Sequence, residues 1–218
     1  MRNSKRPFRN KNILKNIDTE EKAYWLGFLY ADGSIGSNEN KIELSLAEQD
    51  FHHLEKFKNF INLDNKISYR PKLKAYRYSF RSYEFKQNLI NQGCVPKKSL
   101  ILEFPTSQQV PDKYLRHFIR GYFDGDGHFV NTNTCFEVGF IGTENFIKKC
   151  LEVLPEGLNK TLSIKDVHRK DGAKKYAFYS YQDVKLFLDY LYKDSNIYLD
   201  RKYEHYLDFI NNGSKYHK

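Results

Sequence analysis

Two short segments hold the residues best suited to chemistry. Residues 24–33 read YWLGFLYADG and residues 118–127 read FIRGYFDGDG. Gly27 matches Gly121, Asp32 matches Asp126 and Gly33 matches Gly127, each pair 94 residues apart. An isolated Asp-Gly reads first as a helix end followed by a turn. A second copy changes that reading. Gly27 and Gly121 lie in mid-helix, where glycine costs about 1 kcal/mol relative to alanine. Close approach of another backbone explains a glycine in such a place. If the two helices pack side by side on a pseudo-twofold axis, Gly27 faces Gly121, and Asp32 and Asp126 converge at the helices' C-terminal ends. Each carboxylate then sits at the negative end of a helix dipole and opposite a like charge. A shared divalent cation relieves both problems, and hard oxygen ligands with phosphate oxygens suit Mg2+.

The elements that must position these acids also repeat. After the first copy comes KIELSLAEQDFHHLEKFKNFI (41–61), and after the second CFEVGFIGTENFIKKCLEVL (135–154). Both read as a strand, a polar break and an amphipathic helix. Ile42, Leu44 and Leu46 alternate with Glu43 and Ser45, as Phe136, Val138 and Phe140 do with Glu137 and Gly139, the period of a half-buried strand. Asp50 and Thr143 suit N-caps of the following helices. Each half then offers a basic hairpin, 66–82 and 162–180, the second turning at Asp171-Gly172. Helices near 83–92 and 181–192 close the halves, and 199–211 adds a last one. Each half thus reads helix, strand, strand, helix, strand, strand, helix. The sequence divides into a basic N-terminal arm (1–17), a first half (18–96), a linker (97–111) rich in proline, and a second half (112–218).

Composition bounds the partners. The 218 residues carry 36 Lys plus Arg against 27 Asp plus Glu, a net charge of +9, which favours a polyanion. With 40% hydrophobic and 16% aromatic residues the chain can bury a core. No apolar run is long enough to span a membrane, and no apolar signal segment follows the basic N-terminus. Cys94, Cys135 and Cys150 have no metal-binding spacing and read as thiols of a reducing, intracellular compartment.

The paired motifs WLGFLYADG and IRGYFDGDG resemble the signature helices of LAGLIDADG homing endonucleases in their single-chain, two-motif form, and RHFIRGYFDGDG is close to the commonest bacterial and phage version. The resemblance spans about residues 18–210. It implies an α+β fold of pseudo-twofold tandem αββαββα repeats, with two antiparallel sheets forming a DNA-binding saddle and the motif helices paired at the interface. It departs at Tyr30, where an Asp is common. It implies a monomer that cuts both strands of a long duplex DNA site and leaves short 3′ overhangs. Mg2+, with Mn2+ as substitute, would be held by Asp32 and Asp126, each helping to activate water for one strand. Lys98, in VPKKS, and Lys202, in DRKYEHY, match the family's catalytic lysines, with Lys97 as rival to Lys98.

Taken with the strand alternation, the saddle places Arg77, Ser79 and Arg81 on the DNA, with Arg70, Lys72 and Lys74 near the first hairpin turn. In the second half Lys165, Arg169, Lys170, Lys174 and Lys175 do the same. Ser34 and His128, after the motif glycines, fall near the cleavage centre. Arg77 and Arg81 suit guanine contacts, and the turn lysines suit phosphates. The same scaffold also serves RNA maturases acting on their own intron RNA, and DNA-binding proteins that do not cut. Retention of both motif acids favours cleavage.

Overall fold

A computed structural model describes residues 8–131, 136–167 and 172–212. Helix α1 (Glu20–Asp32) starts at Thr19, whose side chain accepts from the Lys22 backbone N–H at 3.2 Å, with Glu20 and Glu21 in the first turn. It is buried without a break from Ala23 to Tyr30. A helix apolar on every side belongs in the middle of a protein. Its counterpart α4 (Asp112–Asp126) is buried from Phe118 to Asp124, and the two lie against each other.

Glycine lets them meet backbone to backbone. A Cβ on Gly27 would strike the Phe118 carbonyl and stand 2.9 Å from the Tyr122 nitrogen; one on Gly121 would strike the Tyr24 carbonyl and stand 2.9 Å from the Phe28 nitrogen. The contacts are reciprocal, since Phe118 and Tyr122 follow Tyr24 and Phe28 by the same 94 residues as the motifs. Each glycine thus packs against the helix turn that contains its mate, 118–122 for Gly27 and 24–28 for Gly121. One turn further on, Gly125 abuts Ala31, and a Cβ on Gly125 would collide with that of Ala31.

Each motif helix runs directly into a sheet. Strands β1 (Gly33–Ile35), β2 (Lys41–Ala47), β3 (Ser68–Arg70) and β4 (Ala75–Arg81) form one antiparallel sheet in the order β1-β2-β4-β3. Strands β5 (Gly127–Asn131), β6 (Phe136–Gly142), β7 (Lys165–Asp166) and β8 (Lys174–Phe178) form the other in the order β5-β6-β8-β7. Helices α2 (Phe51–Ile61) and α3 (Tyr83–Asn91) belong to the first half. Helices α5 (Glu144–Val153), α6 (Tyr181–Tyr192) and α7 (Asp200–Asn211) belong to the second. The tandem α+β architecture expected from the sequence is present. Ile42, Leu44, Tyr78 and Phe80 bury one face of the first sheet, and Val138, Phe140, Tyr176 and Phe178 that of the second.

Two local details differ from the repeat. Gly33 pairs with Leu44, whereas Gly127 pairs with Phe140, so the β5–β6 hairpin is two residues longer from glycine to partner and Phe140, not Val138, takes the place of Leu44. Thr143 caps α5 through Phe146 N–H at 3.1 Å, but Asp50, at the head of α2, makes no capping bond. Its carboxylate instead takes a forked pair from Arg201 of α7, at 3.1 and 3.3 Å. A charged partner from the other half outcompetes the local cap.

Candidate active site

Asp32 and Asp126 are the last residues of α1 and α4, so the packed helices deliver both carboxyls to one place between the halves. Crowding by surrounding protein, and next the Asp126 charge, push Asp32 up to about 6, while Lys202 and Lys98 pull the other way. Asp32 still presents exposed area, so water reaches it and offsets part of that crowding. No group of three or more His, Cys, Asp or Glu side chains that could hold a metal occurs among the described residues. Two carboxylates in mutual repulsion nevertheless fit Mg2+, which keeps several waters and is held by one or two carboxylates together with substrate phosphates.

Two lysines stand behind the acids at matching points. Lys98 Nζ donates to the Gly33 carbonyl. Lys202 Nζ donates to the Gly127 carbonyl at 2.7 Å and to the Phe123 carbonyl. Gly33 and Gly127 each follow a motif aspartate, so the fold gives each acid a lysine one residue away. Lys97 is exposed, has a left-handed backbone (φ 55°) and lines an opening with Ser34, Glu43 and Arg81, so it is Lys98 that reaches the motif. The environments differ. Lys98 is half-buried and Lys202 is buried. Burial pulls Lys202 down to about 8, against the charge of Asp124.

Asp124 occupies the motif position where the first copy has Tyr30. Fully buried, it accepts from Tyr24 Oη at 2.7 Å, Tyr192 Oη at 2.5 Å and the Leu199 N–H at 2.7 Å. Burial raises its pKa. It thereby ties α4 to the turn leading into α7, and so to Lys202. Tyr30 does the matching work in the first half, its hydroxyl donating to the Gln92 carbonyl at 2.5 Å, just ahead of the segment carrying Lys98. Arg120, also fully buried, links Glu20 at 2.6 Å to the Leu191 and Ile197 carbonyls at 3.0 and 2.8 Å. Sequence reasoning missed Asp124, Arg120 and the Asp50–Arg201 pair. The one available signal was the unequal sixth motif position, Tyr30 against Asp124.

The faces of the sheets away from the core carry the expected basic side chains except Lys174, which strand alternation turns to the other side. Arg77, Ser79 and Arg81 share a face with Lys41, Glu43 and Ser45. Arg77 bonds Glu43 at 3.3 Å and Arg81 bonds Glu39 at 2.8 Å. Arg70, Lys72 and Lys74 surround the turn between β3 and β4, and Ser34 is exposed on β1. In the second sheet Lys175 and Lys165 are paired neighbours. Lys174 alternates to the opposite side from Lys175 and bonds Asp166 at 2.6 Å. His128 lies 3.3 Å from Glu137, which also takes Lys175 at 2.8 Å. Burial is the leading influence on His128 and lowers its pKa. Arg169 and Lys170, and the thiol Cys135, lie outside the described residues.

No family model matches the sequence, and no curated protein matches it. The likeness is one of fold. The LAGLIDADG meganuclease I-AabMI, bound to uncleaved DNA, matches with TM-score 0.59 and 15% identity over 88% of this chain and 89% of that one. The LAGLIDADG homing endonuclease I-LtrWI, bound to target DNA, matches with TM-score 0.53 and 12% identity over 95% and 94%. The N-terminal LAGLIDADG domain of DUF199/WhiA matches with TM-score 0.54 and 15% identity over 89% and 94%. The chain has the tandem LAGLIDADG fold. Among the described residues, no helix is long and apolar enough to cross a membrane.

Proposed function

We propose that this protein is a site-specific, metal-dependent endonuclease that cuts both strands of duplex DNA and leaves short 3′ overhangs. The observation that carries the reading is the paired set of Asp32 with Lys98 and Asp126 with Lys202, placed between two sheets with basic outer faces. Asp32 and Asp126 would hold Mg2+, or Mn2+ in its place. Bound there, the cation supplies Lewis acidity, making an attacking water more acidic and neutralising charge at the leaving 3′ oxygen. Each carboxylate accepts hydrogen bonds from the attacking water and aims it at one strand. Lys202, with a pKa near 8, holds or releases a proton close to neutral pH. Lys98 and Lys202 also balance phosphate charge. The sheets straddle the duplex, with Arg77 and Arg81 at base edges and Lys72, Lys74 and Lys165 at phosphates. A single chain with two unlike halves acts as a monomer.

The fold's presence in WhiA supports a second reading, a DNA-binding protein that does not cut. Incubation with a library of long duplexes and Mg2+, followed by sequencing of the ends, separates the two. Defined breaks are expected, with Asp32→Asn and Asp126→Asn each leaving nicked DNA and the double variant leaving it intact. Tight binding without a break in Mg2+ or Mn2+ would sink the nuclease. Adding an intron-containing transcript to the same assay tests for maturase activity.

A further inference from the structure

The two sheets match in fold and differ in chemistry. Because Gly33 pairs with Leu44 and Gly127 with Phe140, Ser45 of the first sheet corresponds to Ile141 of the second, and Glu43 to Gly139. On the next strands Arg77 corresponds to Lys175, Ser79 to Ala177, and Arg81 to Tyr179 just past β8. The core-facing residues between them correspond as apolar to apolar: Leu44 to Phe140, Tyr78 to Tyr176 and Phe80 to Phe178. Only the outer faces diverge. At these five positions the first face carries hydrogen-bonding side chains throughout. On the second, Gly139, Ile141 and Ala177 carry none.

The remaining charged groups are paired on both faces, Arg77 and Lys41 with Glu43 and Arg81 with Glu39 on the first. On the second face Lys175 turns to Glu137 at 2.8 Å, and Tyr179 also bonds that carboxylate. On the first face the Nε of Arg77 is buried and makes no hydrogen bond. Both faces pair their charges within the protein; beyond those pairs the first face presents the hydroxyls of Ser45 and Ser79, while the second presents half-buried Val130 and Ile141 with Ala177 buried.

We propose that the halves of the DNA target are read by different chemistry. The first sheet reads G·C pairs by hydrogen bonds. The second reads A·T pairs by apolar contact with thymine methyl groups, so the target is A·T-rich on that side. The proposal rests on the endonuclease reading and adds the composition of its substrate. In the major groove guanine offers O6 and N7 to an arginine, cytosine an N4 amino group to a carboxylate, and thymine a methyl group. A desolvated arginine or glutamate set against a methyl loses its partner, and so does a cytosine amino group set against Ile141. Each face therefore penalises the bases that suit the other.

The test begins with selection of bound duplexes from a random library by the full chain in Ca2+. Thymines of the selected site are then replaced by deoxyuridine, one half at a time. Arg77→Ala relaxes selectivity in one half and so identifies the half under the first sheet. In the other half deoxyuridine should weaken binding by about 3- to 5-fold per contacted thymine. Under the first sheet it should have little effect, and 7-deazaguanine should there cost binding instead. Equal deoxyuridine losses in both halves, or a larger loss in the Arg77 half, would overturn the proposal and leave the endonuclease standing. Failure to select any sequence would overturn both.

Discussion

Lys202 is the residue whose environment is most at odds with its chemistry. It is 5% exposed, and burial holds it near 8 instead of its ordinary 10.5. A lysine with a depressed pKa resists protonation in the folded state. Its penalty is fully present below pH 8 and disappears above 10.5. The stability of the parent protein relative to Lys202→Met should therefore rise between those values, by up to about 3 kcal/mol. Denaturant melts of both proteins across that range check the sign, and a flat difference would show the lysine to be freely solvated. The same variant should nick DNA without completing the cut. Asp32, Asp126 and both lysines were legible as sequence because each belongs to a short run of characteristic residues. Asp124 was not. Its three partners lie on α1, on α6 and at the start of α7, and no local pattern announces a carboxylate that is satisfied only after three helices have assembled.

The governing element is the helix pair α1–α4. Gly27→Ala or Gly121→Ala places a methyl against a carbonyl of the other helix, where neither backbone can retreat without moving the sheet attached to it. Each should cost about 3 kcal/mol or more. The Ala31–Gly125 contact allows a sharper test. Gly125→Ala alone should lower the melting temperature, and Ala31→Gly alone should lower it much less. The exchanged pair, Ala31→Gly with Gly125→Ala, should recover most of the loss, because one methyl again fills the space of one. Failure of the exchange to rescue would mean that the contact is not what limits packing there. The helices and strands themselves were plain from periodicity. The two-residue lengthening of β5–β6 was not, since an alternating run looks the same when it slides by one full period.

At the scale of the whole molecule the charge of +9 acquires a location. Arg70, Lys72, Lys74, Arg77 and Arg81 gather on the first sheet and its turn, and Lys165 and Lys175 on the second, around a centre that holds two aspartates. Binding driven by such a surface releases counterions. Affinity should fall by about 1,000-fold or more between 50 and 200 mM salt if six or more phosphates are contacted. A titration series in KCl measures the slope, and a shallow one would argue against the saddle. Net charge alone suggested only a polyanion; strand alternation in the sequence already put Arg77 and Arg81 on one face, and the register adds that Glu43 lies on that face with them.

The single methyl between Ala31 and Gly125 also bears on ancestry. In a homodimer built from second halves, glycine would meet glycine at that point and the helices could close. In one built from first halves, alanine would meet alanine, and the collision that Gly125 now avoids would be unavoidable. If the chain arose by duplication and fusion of one gene, alanine at position 31 could be accommodated only once the two copies were free to differ. At this contact the first half therefore depends on the glycine of the second, whereas the second half does not depend on the first.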